Sequence, residues 1–263
     1  MRSSPGSLKE EKHMTDGRFT DRVAIVTGGG RGIGKAIAQG FAKEGGRVVV
    51  TARTADEIAD VAHEIVLKGG EAIGVVCDVS DEDNVQQMVD EAISQWGRVD
   101  ILVNNAATNL PNIDVVDIEP DAWRRVIDVN LNGPYLCARA VLPGMIEQGS
   151  GSIVNISSIG GRHGAKGRGP YRATKAGLIN LTETLAAETF QHGIRVNCVC
   201  PGGVETEMLR MISGVTPDRD LMTPEEMANV VLYLASDDSS AVTGTSIDAF
   251  GPTHPLFHGQ MMR

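Results

Sequence analysis

The sequence predicts an α/β protein, a single domain built on a doubly wound parallel sheet with helices on both faces. Two observations carry that expectation. Short β-branched runs alternate with longer amphipathic stretches from Val23 to the region of Gly244, the order that parallel strands joined by right-handed helical crossovers require. The strand candidates are continuous apolar runs rather than apolar–polar alternations, as strands covered on both faces must be.

The elements follow in order. The first strand, "VAIVT" from Val23 to Thr27, ends in a glycine-rich turn, and a helical stretch runs from Arg31 to about Glu44. Gly45-Gly46 leads into "RVVVTA", a helix from about Ala55 to Lys68, Gly69-Gly70 and the strand "EAIGVVCDV". A helix from about Glu82 to Trp96 precedes "VDILVNNA", and a long helical region from about Asp121 to Gln148 precedes "GSIVNISS". The helix holding Tyr171, the strand "IRVNCVCPGG", a helix from about Pro224 to Ser236 and a short strand near "GTSIDAF" complete the frame. No repeat or linker-like stretch interrupts residues 20–251, read as the catalytic domain. Residues 1–19 read as a disordered polar leader and residues 252–263 as a tail. His13-Met14 reads as a cloning junction, with Met14 as the native start.

Composition excludes several classes of function. The 263 residues are 41% hydrophobic and 22% charged, enough to bury a core, and the formal net charge of -10 disfavours nucleic acid or an anionic membrane as partner. No apolar run approaches a membrane-spanning length, and the N-terminus has no apolar signal segment. Cys77, Cys137, Cys198 and Cys200 form no C-x-x-C pair, and no histidine cluster has metal spacing. They read as reduced, buried thiols of a cytoplasmic protein without a metal.

The turn "TGGGRGIG", Thr27 to Gly34, joins a strand to a helix. Glycines there allow positive φ and close backbone approach, and the helix start offers free N–H groups to a phosphate. A tight turn alone would use the same residues. The spacing is not G-x-G-x-x-G, and no Gly-Lys-Ser/Thr closes a Walker loop. Beyond the second strand stands Arg53, with no carboxylate before Asp56. A carboxylate at that strand end would bond the ribose 2′-hydroxyl of NAD, whereas a guanidinium suits a 2′-phosphate. NADP(H) is therefore preferred over NAD, with Arg31 as a second cation; a solvated helix-start arginine is the plainer reading of Arg53.

Farther on come "VNNAA" with Asn104 to Ala107, "VIDVNLNG" with Asn130, "IVNISSIGG" with Ser157 and Ser158, "YRATK" with Tyr171 and Lys175, and "CPGGVET" with Pro201, Gly202, Val204 and Thr206. Each has an ordinary structural use when taken alone. Together, in order on one α/β frame, they resemble the short-chain dehydrogenase/reductase family, in particular members of the 3-oxoacyl-(acyl carrier protein) reductase type. The resemblance runs from about Arg22 to Gly251. The turn fits T-G-x-x-x-G-x-G as Thr27, Gly28, Gly32 and Gly34, with Ser158 standing 13 residues before Tyr171.

The resemblance implies a Rossmann-type fold and a catalytic set of Asn130, Ser158, Tyr171 and Lys175. It implies cofactor contacts from Gly28, Gly30, Arg31, Gly32, Ile33, Gly34, Arg53, Asp78, Val79, Asn105, Ala106, Tyr171, Lys175, Pro201, Gly202, Val204 and Thr206. Lys175 would hold the nicotinamide ribose, Asn130 a water, and Thr206 the carboxamide. A homo-oligomer, tetramer or dimer, is implied as well. Physically, an ordinary tyrosine has a pKa near 10, and a lysine ammonium one helical turn away is expected to lower it. Ser158 would fix the same substrate oxygen.

Two departures stand out: Ala107 replaces the final glycine of N-N-A-G, and Ala249 and Phe250 stand where the glycines of an expected Asp-Gly-Gly ending would fall. The loop from Gly160 to Gly169 carries Arg162, His163, Lys166 and Arg168, which suits an acidic or phosphorylated substrate, an acyl carrier protein or simply a flexible solvated loop. The lid-like segment after Thr206 carries Met208, Leu209, Met211 and Ile212, which suit an apolar substrate or packing on the domain. The reading is a carbonyl–alcohol oxidoreductase acting on a small molecule. A 3-oxoacyl thioester and a sugar or small alcohol are both open as substrate, and a catalytically silent NADP-binding regulator is the alternative.

Overall fold

A computed structural model describes residues 17–213 and 221–253. The rest of the expected leader, the expected tail beyond Thr253 and the question of the native start lie outside the described residues. The expected leader boundary at residue 19 is corrected. Phe19 is buried in the core and meets Phe41 edge to face at 4.7 Å between ring centres, because an aromatic ring so close to the first strand gains more from burial than from solvent.

Seven parallel strands form one sheet in the order β3-β2-β1-β4-β5-β6-β7. They are β1 (Val23–Thr27), β2 (Arg47–Ala52), β3 (Glu71–Val76), β4 (Ile101–Asn104), β5 (Gly151–Ile156), β6 (Ile194–Pro201) and β7 (Ser246–Ala249). The strand order reverses between β1 and β4, so their carboxyl ends diverge there and open a crevice. Register is direct: Ile25 stands beside Val49 on one side and Leu102 on the other.

Successive side chains point to opposite faces of the sheet. Ala24, Val26, Val48 and Val50 join α1 (Gly32–Lys43), α2 (Ala55–Leu67) and α8 (Pro224–Ala235) in one core. Ile25, Val49, Leu102 and Ile153 join α3 (Glu82–Trp96), α5 (Gly133–Gln148) and α6 (Gly169–Thr189) in the other. The edge strands β3 and β7 are only partly covered, unlike the continuous burial of β1, β4 and β5.

The long helical region expected from Asp121 to Gln148 is divided. The short α4 (Pro120–Ile127) runs into a π-helical turn over Asp128–Asn132 before α5 begins at Gly133. A Cβ at Gly133 would lie 2.8 Å from the Val79 side chain, so the start of α5 presses on the end of β3. The wider turn brings Asn130 inward, where it is completely buried, as π turns at functional places often do. A further helix, α7 (Glu207–Ser213), occupies the lid-like segment after Thr206.

Candidate active site

The carboxyl ends of β1, β4, β5 and β6 and the start of α6 enclose a cleft of about 520 Å³. Its floor is the turn after β1. Gly28 and Gly32 have φ of +63° and +52°, conformations that a side chain resists, and a Cβ on Gly28 would lie 2.9 Å from the Ala106 backbone. Asn105 clips the turn from below: its Nδ2 donates to the carbonyls of Thr27 and Gly28 at 2.9 and 3.1 Å. The Thr27 hydroxyl accepts from the backbone N–H groups of Asn105 and Ala106, each at 3.0 Å. Gly28, Gly30, Arg31, Gly32 and Ile33 line the cleft, as do Asn105, Ala106 and Ala107.

Gly34 does not line it. A Cβ there would lie 2.1 Å from the Gly28 carbonyl oxygen, so Gly34 lets the turn fold onto the helix.

Arg53 lines the cleft, is exposed and makes no ion pair among the described residues. Arg31 differs: its guanidinium pairs with Glu207 of α7 at 2.5 Å across the cleft mouth. Asp78 accepts from the Ser80 hydroxyl at 2.6 Å and from Arg125 at 2.8 Å. Burial pushes the Asp78 carboxyl up, but these bonds outweigh it and hold the pKa at about 2. Val79, Pro201, Gly202, Val204 and Thr206 also line the cleft. Thr206 caps α7 by accepting from the Leu209 N–H at 3.2 Å.

These residues fit a nicotinamide dinucleotide. The turn leaves room only for backbone beside a phosphate, and Arg53 stands at the end of β2 as a cation without an ion-pair partner among the described residues. Arg53 and the turn would hold the phosphates, with Thr206 and Lys175 at the opposite end.

At that end the structure brings Ser158, Tyr171 and Lys175 together. Ser158 follows β5, and its Oγ accepts from the Gly160 N–H at 3.0 Å and lies in hydrogen-bonding reach of the Tyr171 phenol. Lys175, one turn beyond Tyr171 on α6, is buried; its Nζ donates to the Ile156 carbonyl at 2.7 Å and sits 5.6 Å from the centre of the Tyr171 ring. Burial lowers the Lys175 pKa to about 8.

The expectation that Lys175 depresses the Tyr171 pKa is corrected. Burial raises that pKa above its ordinary value, and the opposing influences are the Ser158 hydrogen bond and the charges of Arg168 and Arg172. Lys175 Nζ lies beside the ring and is bonded at the end of β5.

Asn130 lies behind the cleft and does not line it. Its Oδ1 accepts from the Thr108 N–H and its Nδ2 donates to the Thr108 carbonyl, both at 2.8 Å, with Thr174 Oγ1 at 3.3 Å. Both amide hydrogens are engaged, so the side chain positions the Thr108 segment rather than offering a free donor for water.

The basic loop resolves into separate roles. Arg162 bonds Asp248 at 2.8 Å and the Ser246 carbonyl at 3.1 Å, tying the loop to β7. Lys166 is exposed and lies 3.5 Å from Asp114. Arg168 alone of the loop's basic residues lines the cleft.

Sequence reading missed Arg172, Glu57 and Glu207, which also line it. Arg172 follows the tyrosine directly, so position i+1 from a catalytic candidate was the available signal. Nothing in the local sequence marks Glu57, which stands against Gly30. All four cysteines are free and buried, and among the described residues no group of acidic, histidine or cysteine side chains has metal-site geometry.

Residues 28–249 match the family model described as enoyl-(acyl carrier protein) reductase. The chain is 39% identical to YxbG of Bacillus subtilis, described as an uncharacterized oxidoreductase, over 89% of this chain and 92% of the relative. It is 38% identical to a 3-oxoacyl-(acyl-carrier-protein) reductase of Synechocystis, over 89% and 97%. A solved structure from Burkholderia xenovorans, described as a short-chain dehydrogenase/reductase, superposes with a TM-score of 0.83 at 36% identity, over 90% of this chain and 98% of that one.

Proposed function

The chain belongs to the short-chain dehydrogenase/reductase family of oxidoreductases, and from that premise we propose that it interconverts a carbonyl and a secondary alcohol with NADP(H), using Tyr171 as general acid and base. The observation that carries this reading is the convergence of Ser158 and Tyr171 in the cleft whose other end is the glycine turn. Two hydroxyl groups meeting one substrate oxygen suit a carbonyl.

When bound, the nicotinamide supplies or accepts the hydride. In reduction the carbonyl C–O π bond breaks as hydride reaches carbon, and the Tyr171 hydroxyl gives its proton to oxygen. Ser158 donates a hydrogen bond to that oxygen and holds it against the phenol. Lys175 supplies positive charge behind the ring, and Asn130 fixes the Thr108 wall. In oxidation Tyr171 phenolate takes the alcohol proton. General acid–base transfer of this kind contributes about 10²–10⁴-fold.

Arg53 is the proposed reader of the 2′-phosphate, with Arg31 free to join it only by leaving Glu207. Residues 20–251 act as the catalytic unit in this reading, and the four buried thiols suit a cytoplasmic setting. No helix of the described residues is long and apolar enough to cross a membrane. Exposed Tyr135 and Ile146 on α5 are apolar surface that a homo-oligomer would cover.

A panel of ketones, secondary alcohols and 3-oxoacyl thioesters, followed by absorbance of NADPH and of NADH, tests the reading. Turnover favouring NADPH is expected. Cofactor binding with no turnover of any member would instead establish a silent NADP-binding regulator.

A further inference from the structure

The charges lining the cleft are unevenly paired. Its carboxylates are Glu57, Asp78 and Glu207. Glu57 stands against Gly30 in the phosphate turn, Asp78 is bonded to Arg125 and Ser80, and Glu207 is paired with Arg31. None lies at the Tyr171 end among these contacts, whereas Arg168, Arg172 and Lys175 do.

Two of those three cations have partners. Lys175 donates to the Ile156 carbonyl, and Arg172 donates to the His163 carbonyl at 2.6 Å while its stem packs beside Gly160 next to Ser158. Arg168 differs. Its Nη1 is cut off from solvent and has no hydrogen-bond partner among the described residues. A guanidinium nitrogen in that state loses hydration with nothing in return; Arg168 lines the cleft, so a modest turn of its side chain would bring that nitrogen to a ligand there.

Position makes that ligand a substrate group. Arg168 precedes Tyr171 by one helical turn at the start of α6, and its charge acts on the phenol. A group held by Arg168 therefore belongs to the molecule whose carbonyl meets Tyr171 and Ser158. The planar fork of a guanidinium matches a carboxylate through two parallel bonds.

We propose that the substrate is a small oxo acid, or the corresponding hydroxy acid, whose carboxylate is held by Arg168 while its carbonyl or hydroxyl lies between Ser158 and Tyr171. This rests on the oxidoreductase reading above and narrows it. The redox step is unchanged: hydride passes between nicotinamide and the carbonyl carbon, Tyr171 exchanges the proton, and the carboxylate stays ionised throughout. A carrier-bound acyl thioester has no free carboxylate at that place and would leave Nη1 unpaired.

The test uses 2-, 3- and 4-oxo carboxylates of four to eight carbons, each with its methyl ester and its N-acetylcysteamine thioester, and NADPH as reductant. The full chain is expected to prefer at least one acid over its ester and thioester by about tenfold or more in kcat/KM, as a charged hydrogen-bonded pair allows. Arg168→Gln is expected to bring that acid-over-ester preference close to unity, chiefly through a higher KM for the acid, while its effect on proton transfer at Tyr171 falls on acid and ester alike. Arg168→Lys should recover part of the preference, because it keeps the charge and loses the fork.

Esters or thioesters turned over as well as every acid would overturn the proposal and leave the oxidoreductase reading standing. So would an acid-to-ester ratio left unchanged by Arg168→Gln, which confines Arg168 to its effect on Tyr171 or to a structural role. If Arg168→Gln does not fold, the acid-to-ester ratio of Arg168→Lys decides: an unchanged ratio refutes the assignment. No turnover of any compound would remove the oxidoreductase reading and this proposal together.

Discussion

Opposing influences meet at Tyr171: burial disfavours the phenolate, while Ser158 and two guanidiniums favour it. Removing one of them must therefore move the proton-transfer step toward higher pH. The rate of alcohol oxidation needs the phenolate and rises with pH; Arg172→Gln is expected to shift that rising limb upward, and an unmoved limb would deny Arg172 its electrostatic role. Lys175 gives a second pH dependence. Its pKa falls from 10.5 to about 8 on folding, so between those values the unfolded chain binds more protons, and stability rises with pH. The unfolding free energy of the wild type relative to Lys175→Met should climb from pH 8 to pH 10 in denaturant titrations; a flat difference contradicts the burial of a charged Lys175. At the cofactor end, Arg53→Ala is expected to narrow NADPH-over-NADH discrimination by about 10–100-fold, the worth of charge-assisted hydrogen bonds. Unaltered discrimination would move the phosphate reader elsewhere. That Arg53, Ser158, Tyr171 and Lys175 line one cleft was legible from the strand-end position of Arg53 and from the motifs that the others share with the family. The Asn130 link to Thr108 was not, since a side chain gripping a backbone remote in sequence leaves no local trace.

Local signals set the boundaries of most elements. Asp81 accepts from the Asn84 N–H and Gly97 has φ of +80°, so α3 starts and stops where its capping residues dictate. Thr223 and Glu226 form a capping box at α8. The π turn in the region of Asn130 escaped this logic, because its sequence keeps a helical pattern and only tertiary contact with Val79 and Thr108 widens the turn. Helix α7 escaped too: its apolar residues after Thr206 read equally as facing a substrate or packing on the domain. At the far end of α8, Arg195 donates to the carbonyls of Leu234 at 2.7 Å and Ser236 at 2.9 Å and to the Ser239 hydroxyl at 2.7 Å. A cation there also offsets the negative end of the helix. Arg195→Met is expected to lower stability by about 2 kcal/mol in denaturant unfolding with little effect on kcat. No loss of stability would show that water replaces the guanidinium without cost.

The whole molecule follows from continuous apolar strands and intervening amphipathic helices, and that pattern sufficed to foresee the parallel sheet. Pattern did not foresee the buried polar chain that runs from Asn104 through Asn155 to Thr182 at 2.9 Å per link, joining β4, β5 and α6 beneath the cleft. Each of those residues reads alone as a strand-end or surface residue; only strand order brings them together. In the proposed reaction the two sides of the sheet converge on one function, with α1 and β2 holding the cofactor and α6 presenting the proton donor. Tyr171→Phe tests that division most directly, through NADPH affinity by fluorescence titration and turnover on the best substrate of the panel. Affinity is expected to stay close to wild type while turnover falls at least about a hundredfold. Turnover near the wild-type value would contradict the assignment of Tyr171 as the proton donor.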